Sequence, residues 1–432
     1  MTKQRVNVIT MGCSKNLVDS EVLMKQLEKG KFDVVHDSNE CDFDTVVINT
    51  CGFIRDAKQE SIDMILDYIE AKKEGNINNL YVMGCLSERY KDELKAEIPE
   101  VDRFFGKYEI KSIVEELNAT YLPEYLYERT ITTPSHYSYL KISEGCNRHC
   151  AFCAIPKITG FHKSRSIESL LKEARYLAQK GVKELLLIAQ DLSYYGIDLY
   201  GENKLAELIT RISEINGIEW IRLHYLYPTQ FPKEILPLMR NNPKVCKYLD
   251  LPLQHISDPV LENMLRRVTR AETEKLLREI RDEVPGIIIR TTMLVGFPGE
   301  TQNDFDELKQ FVLENKFERL GVFPYSEEDG TYAARKFEDT LDEETKQSRA
   351  DELMEVQQNI SYALNQQKNG KKYKVIIDRK EGGYYVGRTE FDSPEVDGEV
   401  FITSAKTLNN GDFVTVKITE AGDYDLFGEI CS

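Results

Sequence analysis

The stretch Glu144-Gly-Cys-Asn-Arg-His-Cys-Ala-Phe-Cys-Ala-Ile-Pro156 sets Cys146, Cys150 and Cys153 in the spacing C-x3-C-x2-C. Three thiolates so close together suit a soft metal centre, and an iron–sulfur cluster is the first candidate. A four-iron cube needs four iron ligands, so three local cysteines leave one iron open to an external ligand. A structural zinc would take a fourth Cys or His. His149 inside the stretch and His162 beyond it keep that reading open, and three unpaired core thiols are a separate alternative.

The same spacing resembles the signature of the radical S-adenosylmethionine (SAM) enzymes. In that superfamily the open iron is chelated by the amino and carboxylate groups of SAM. An electron from the cluster then cleaves the sulfonium and yields a deoxyadenosyl radical. This chemistry is what the resemblance implies. The spacing alone implies an incompletely ligated metal site.

Outward from this stretch, 432 residues with 41% apolar content are ample for two or three buried cores. No apolar run reaches the length of a membrane span, and the first ten residues lead almost directly into a strand pattern with no signal-peptide core. Nine cysteines, an odd number in a long chain, argue metal chemistry in a reducing compartment rather than a disulfide scaffold, so the expected location is cytoplasmic. The net charge of -17 repels phosphate at long range and attracts a basic protein. A local basic face could still bind nucleic acid.

Residues 1–120 read as an open parallel α/β domain. The strands Val6–Thr10, Thr45–Thr50 and Asn79–Met83 alternate with amphipathic helices over 16–29 and 57–73. Cys13, Cys51 and Cys85 each follow one of these strands, beside Gly12, Gly52 and Gly84. Loops at the carboxyl ends of parallel strands converge on one crevice, so the three thiols are expected to meet as a second ligand set. The bland alternative is three separate, partly buried thiols. Cys41, Cys246 and Cys431 have no such context.

Residues 121–136 read as a linker, and 137–367 hold six strand–helix units. The strands are expected at 139–143, 182–189, 220–223, 248–251, 287–295 and 319–323. That alternation predicts a partial TIM-like (β/α)6 barrel whose active face lies at the strand carboxyl ends. A polar helix over 341–367 closes the barrel edge or bridges onward. Residues 368–432 read as five short strands in an OB-like antiparallel β-barrel. With 8 Lys and Arg against 12 Asp and Glu over 371–432, a protein-docking barrel is at least as plausible as an RNA clamp.

Six polar residues on or near the central strands are candidates for contacts to SAM: Glu184, Gln190, Arg222, His224, Gln254 and Arg290. Structural networking is the equal alternative for each. No residue suggests itself as a conventional acid or base, since the cofactor would carry the hard chemistry. The turn Gly296-Phe-Pro-Gly-Glu-Thr301 could hold an anion or be a plain turn. His36 and His136 show no partner in the sequence.

Taken together, Gly12-Cys-Ser-Lys-Asn-Leu-Val-Asp-Ser-Glu21, Asn49-Thr-Cys-Gly-Phe-Ile54 and Gly84-Cys-Leu-Ser-Glu-Arg89 resemble the methylthiotransferase family of radical SAM enzymes. The likeness runs from Val6 to the end. Ser14, where relatives often have proline, is a small departure. Further motifs resemble the ribosomal protein S12 branch more than the tRNA branch. They are Ile188–Ser193, Arg222–Pro228, Tyr248–His255, Val322–Ser326 and Gly387–Asp397. The resemblance implies an N-terminal methylthiotransferase domain, a radical SAM barrel and a C-terminal TRAM barrel. It implies two [4Fe-4S] clusters, one on Cys13, Cys51 and Cys85 and one on Cys146, Cys150 and Cys153, with SAM as cofactor. The implied reaction is methylthiolation of the β-carbon of an aspartate in S12, free or in the small ribosomal subunit. A sulfur donor and an electron donor such as flavodoxin or ferredoxin would serve a monomer away from any membrane. The alternatives are a tRNA adenosine methylthiotransferase and a non-catalytic, metal-stabilised RNA- or protein-binding module.

Overall fold

The computed structural model describes residues 3–40 and 42–431; Cys41 lies outside them. The N-terminal part contains β1 (Arg5–Thr10), α1 (Ser14–Lys29), β2 (Asp33–His36), β3 (Phe43–Thr50), α2 (Arg55–Lys73), β4 (Ile77–Gly84), α3 (Cys85–Glu97) and β5 (Arg103–Phe104). The strands form one sheet in the order β2-β1-β3-β4-β5, parallel throughout. Sequence reading finds β1, β3 and β4; β2 and β5 are too short to show a period. Successive residues of a strand point to opposite faces. Val46 and Ile48 therefore join Ile65 and Ile69 of α2, while Val47 turns the other way to Leu23 and Leu27 of α1. Both faces are buried, which is why these strands read as nearly unbroken apolar runs.

A short antiparallel pair, β7 (Ser143–Glu144) with β8 (Lys163–Ser164), brackets the cysteine stretch. The central sheet consists of β6 (Tyr137–Lys141), β9 (Glu184–Ile188), β10 (Trp220–Leu223), β11 (Val245–Asp250), β12 (Ile288–Val295) and β13 (Arg319–Pro324). Its six strands lie in chain order and are all parallel. Leu140, Leu185, Leu187, Ile221, Leu223, Leu249 and Ile289 pack on the intervening helices. The helix Glu343–Gln366 adds Ala350, Leu353 and Ile360 to that core and lies along β13, where Gln357 donates to the Phe317 carbonyl at 2.9 Å. Among the helices, the capping serine is Ser166, and Thr301 with Asp304 forms a full capping box.

The last sheet is a closed barrel of β14 (Lys372–Glu381), β15 (Tyr384–Thr389), β16 (Val400–Thr403), β17 (Phe413–Ala421) and β18 (Leu426–Ile430), in the order β14-β15-β16-β18-β17. One point corrects the expectation of an antiparallel barrel: β16 and β18 pair in parallel. Chain order around a closed sheet forces this, because β18 inserts between β16 and β17.

The joint at 121–136 is fastened rather than loose. Arg129 is buried and bonds Glu21 of α1, the Tyr139 carbonyl of β6 and Glu173 (2.7 Å) of the helix Ile167–Gln179. No helix among the described residues is long and apolar enough to cross a membrane.

Candidate functional site

Register brings the first three cysteines together. Asn49 of β3 lies level with Thr10 of β1 and Met83 of β4, so the loops after these three neighbouring strands leave at one height. Cys13 caps the N-terminus of α1, Cys85 opens α3, and Cys51 sits between them. Gly12, at φ +85°, lies so close that a Cβ there would stand 2.8 Å from the Cys51 sulfur. Asn16 ties all three loops: its amide donates to the Met11 and Thr50 carbonyls at 3.0 Å, and its Oδ1 accepts from the Cys85 thiol at 3.6 Å. No sequence spacing singles out Asn16, because its partners are far along the chain.

The thiols of this triad influence one another. Burial pushes Cys85 up to about 12 against the pull of Lys107, and Cys13 and Cys51 raise it further. Burial likewise raises Cys51. Burial works against the thiolate at Cys13 too, yet Lys15, the Asn16 backbone N–H and Lys107 outweigh it and the net shift is downward.

The second triad is held by its own loop. Gly145, at φ +77°, leaves no room for a Cβ against the Phe161 carbonyl, and Cys146 N–H donates to the Gly160 carbonyl at 3.1 Å. Burial lifts Cys146 to about 12 and pushes Cys153 up further. Around Cys150 stand two residues the sequence did not single out as ligand neighbours. Arg266 donates to the Cys150 sulfur at 3.4 Å, and Tyr227 Oη lies 3.6 Å from it. The Tyr227 ring is stacked between the guanidinium groups of Arg148 and Arg266, each 4.2 Å from its centroid.

The two triads are neighbours. Cys85 packs in one buried cluster with Ala154 and Ile158, and Ala154 directly follows Cys153. Beside this contact, buried Lys107 lies 3.9 Å from the Cys85 sulfur and 4.0 Å from Glu144, two residues before Cys146.

Both triads fit the donor chemistry of an iron–sulfur cluster: three cysteine thiols each, with burial that disfavours the free thiolate at Cys51, Cys85, Cys146 and Cys153 until cationic metal replaces the proton. Among the described residues no group of three or more His, Cys, Asp or Glu is spaced for a single metal ion. A cube sets each thiolate on a different iron, so it does not require that spacing. Cys246, by contrast, is buried with Trp220 and Tyr248 beneath Ile376 of the terminal barrel, and Cys431 is half-buried next to the chain's end.

Four of the six candidate SAM contacts, Glu184, Arg222, His224 and Arg290, bond to other groups of the chain. The loop 389–397 of the terminal barrel enters the face of the central sheet that is turned away from the helices. Glu184 pairs with Arg222 and Arg388, each at 2.8 Å. Arg222 also donates to the Glu390 carbonyl at 2.7 Å, His224 Nε2 lies 3.0 Å from Ser393 Oγ, and Arg290 pairs with Asp397 at 2.7 Å. Tyr137 and Tyr139 both donate to Glu395. His136, without an evident partner in the sequence, lies 2.7 Å from Asp378. His36 lies 2.9 Å from Thr10 Oγ1.

Gln190 and Gln254 stand at the strand ends, on the side of the triads. Gln190 donates to Glu144 at 3.0 Å while its Oε1 is buried without a partner. Gln254 has φ +75° and bridges to Met293 through its backbone. In the Gly296–Thr301 turn, Glu300 accepts from Gly296 N–H at 2.8 Å, so the chain's own carboxylate fills the place considered for an anion.

Comparison with known proteins agrees with this layout. The family model described as uncharacterized protein family UPF0004 matches residues 5–106, the Radical SAM superfamily matches 140–312 and the TRAM domain matches 370–431. A relative from Bacteroides thetaiotaomicron is 57% identical over 431 residues, covering 100% of this chain and 99% of its own, and is called ribosomal protein uS12 methylthiotransferase RimO. The chain belongs to the uS12 methylthiotransferase family. A second family member, from Porphyromonas gingivalis, is 56% identical with 100% of both chains covered. Among solved structures, the radical SAM methyltransferase TsrM from Kitasatospora setae shares the fold at TM-score 0.54 and 15% identity, over 91% of this chain and 82% of that one. The radical enzyme OxsB follows at 0.52 and 14%, over 82% and 56%.

Proposed function

We propose that this family member is a radical SAM methylthiotransferase that adds a methylthio group to the β-carbon of an aspartate in ribosomal protein S12. The observation that carries the reading is the contact of Cys85 with Ala154, which puts two cysteine triads side by side across two sheets. A radical source alone needs one triad. A second triad against it suits an enzyme that must trap a carbon radical before it strays, because reacting groups gain most when held together.

In this reading Cys146, Cys150 and Cys153 hold one four-iron cluster and Cys13, Cys51 and Cys85 hold the other. When bound, these groups and SAM would supply one-electron cleavage of the sulfonium on one side and sulfur for insertion on the other. The protein's part is to bind and orient. Gln190 and Gln254 remain at the strand ends to contact SAM, and Arg266, whose Nε is buried without a partner, adds a cation beside Cys150. The six sequential parallel strands support an incompletely closed barrel around that cofactor. Loop 389–397 plugs one end, and α1 covers the other through Leu17 and Val18 against Tyr139, Leu186 and Ile188. The acidic balance of the chain favours a basic ribosomal protein over tRNA as partner. The work would be done in the cytoplasm by a monomer, with flavodoxin or ferredoxin as electron donor and a separate sulfur donor.

The test is to reconstitute the chain anaerobically, reduce it, and supply SAM with either an S12 peptide or a tRNA stem-loop. The peptide should gain a methylthio mass. Gain by the stem-loop alone would replace S12 with tRNA as the substrate, and absence of SAM cleavage would leave only a binding module.

A further inference from the structure

Around the two triads stand three lysines and two carboxylates. Lys141 is bonded to Asp19 and to Glu144. Lys107, buried, lies 3.4 Å from Asp19 and 4.0 Å from Glu144. Two cations and two anions cancel. The third lysine, Lys15, is half-buried two residues after Cys13, and no ion pair or hydrogen bond engages its ammonium among the described residues. Its Nζ rests 3.5 Å from the centroid of the Tyr225 ring, just past the end of β10. Tyr225 is held with φ +63°, a backbone conformation uncommon for a tyrosine. Lys15 therefore reaches from the cysteine loop of one sheet to the strand-end loop of the other, with only a neutral ring beneath its charge.

A ring face is a modest partner for an ammonium, about 0.5–2 kcal/mol depending on desolvation. A carboxylate offers a charge-assisted hydrogen bond, which is roughly twice as strong as a neutral one. A carboxylate entering this cleft would therefore meet a half-buried cation that no carboxylate of the chain engages.

Resting on the functional reading above, we propose that Lys15 binds the side-chain carboxylate of the residue to be modified, and so selects an aspartate. In an aspartate the reacting β-carbon is bonded directly to the carboxylate carbon. Holding that carboxylate at Lys15 fixes the β-carbon between the triads without any proton transfer. A neutral nucleobase offers this ammonium only neutral acceptors and a ring face, not a charge. Asparagine, of the same shape, would lose the ion pair and keep only a neutral carbonyl. Lys15 is thus a substrate-binding and specificity residue, distinct from Lys107 and Lys141, whose charges are balanced within the chain.

The test uses the anaerobically reconstituted full chain and labelled S12 peptides carrying Asp or Asn at the modified position. Fluorescence anisotropy gives the affinities, and iron is counted in every sample. The wild type should prefer Asp by about tenfold, the size of one charge-assisted contact. In samples reconstituted to equal iron content, Lys15→Met should bind both peptides at the level of the wild type with Asn, and Lys15→Arg should keep most of the preference. A preference that survives Lys15→Met overturns the inference, and so does its loss only together with iron, which would make Lys15 a support for the first triad. An Asp peptide that gains no methylthio mass from the wild type instead fails the functional reading. A peptide that gains mass while its Asp preference ignores Lys15→Met fails this inference alone.

Discussion

Glu184 Oε1 accepts from Arg222 Nε at 2.8 Å, and both side chains are wholly buried. The other Glu184 oxygen pairs with Arg388, which also forks onto Asp378 at 2.7 and 3.0 Å. One chain of charges thus runs from the central sheet into the terminal barrel. Removing one member leaves the others buried and unpaired, which typically costs about 3–5 kcal/mol. Arg388→Met should destabilise the chain by that order and free the terminal barrel. Thermal unfolding and limited proteolysis after the helix Glu343–Gln366 would show it; an unchanged melting temperature would mean that the network does not fasten the two parts.

The same network should fail in acid. Burial pushes the carboxyls of Glu184, Asp378 and Asp392 upward, but the arginines outweigh it: Arg388 and Arg222 at Glu184, Arg388 at Asp378 (joined there by His136), and Arg319 at Asp392. All three stand below their ordinary values. A carboxyl whose folded value is depressed contributes stability that is present above its unfolded value, about 4, and lost as the pH falls through the folded one. Hydrogen exchange of residues 389–397 should therefore stay slow from neutrality down to about pH 5 and quicken below about pH 4. Quickening already between neutrality and pH 5 would point to other groups.

The cysteines could be read because their information is local. C-x3-C-x2-C is a spacing, and a cysteine just past a strand is a position. Parallel register does the rest, since Asn49 opposite Thr10 and Met83 leaves the three loops nowhere else to go. Glu184, Arg222, His224 and Arg290 were legible as polar residues within or just beyond apolar strands, but not in their purpose. Periodicity assigns a residue to a face of a sheet, not to what covers that face. The covering loop, 389–397, arrives more than 90 residues after Arg290, and its motif carried no hint of its partners. Asn16, Lys107 and Lys15 escaped for the same reason, because their significance lies in contacts with other strands and loops.

Gly12 is a sharp probe of the first triad. Its φ of +85° is costly for other residues, by about 1–2 kcal/mol. A Cβ there would also stand 2.7 Å from Cys51 Cβ and 2.8 Å from its sulfur. Gly12→Ala should displace Cys51 and reduce the iron proposed to sit on Cys13, Cys51 and Cys85, while the Cys146 loop is untouched. Iron analysis with SAM cleavage as the control measures both. Full iron in this variant would show that Cys51 can shift without consequence.

The pairing of Cys13→Ala with Cys146→Ala separates the two triads by what each loses. Either change removes one thiolate from a set of three, so each should cost about one cluster of iron. Their chemistry should differ. Cys13→Ala leaves the C-x3-C-x2-C loop, Tyr227 and Arg266 intact, so SAM should still be cleaved while the peptide gains no methylthio group. Cys146→Ala should abolish cleavage itself, since its loop is the one proposed to hold the open-iron site. Iron counting and deoxyadenosine release, read on the same samples, decide the matter. Unchanged iron in Cys13→Ala would remove the first triad from the metal chemistry altogether, and the contact between Cys85 and Ala154 would then be packing alone.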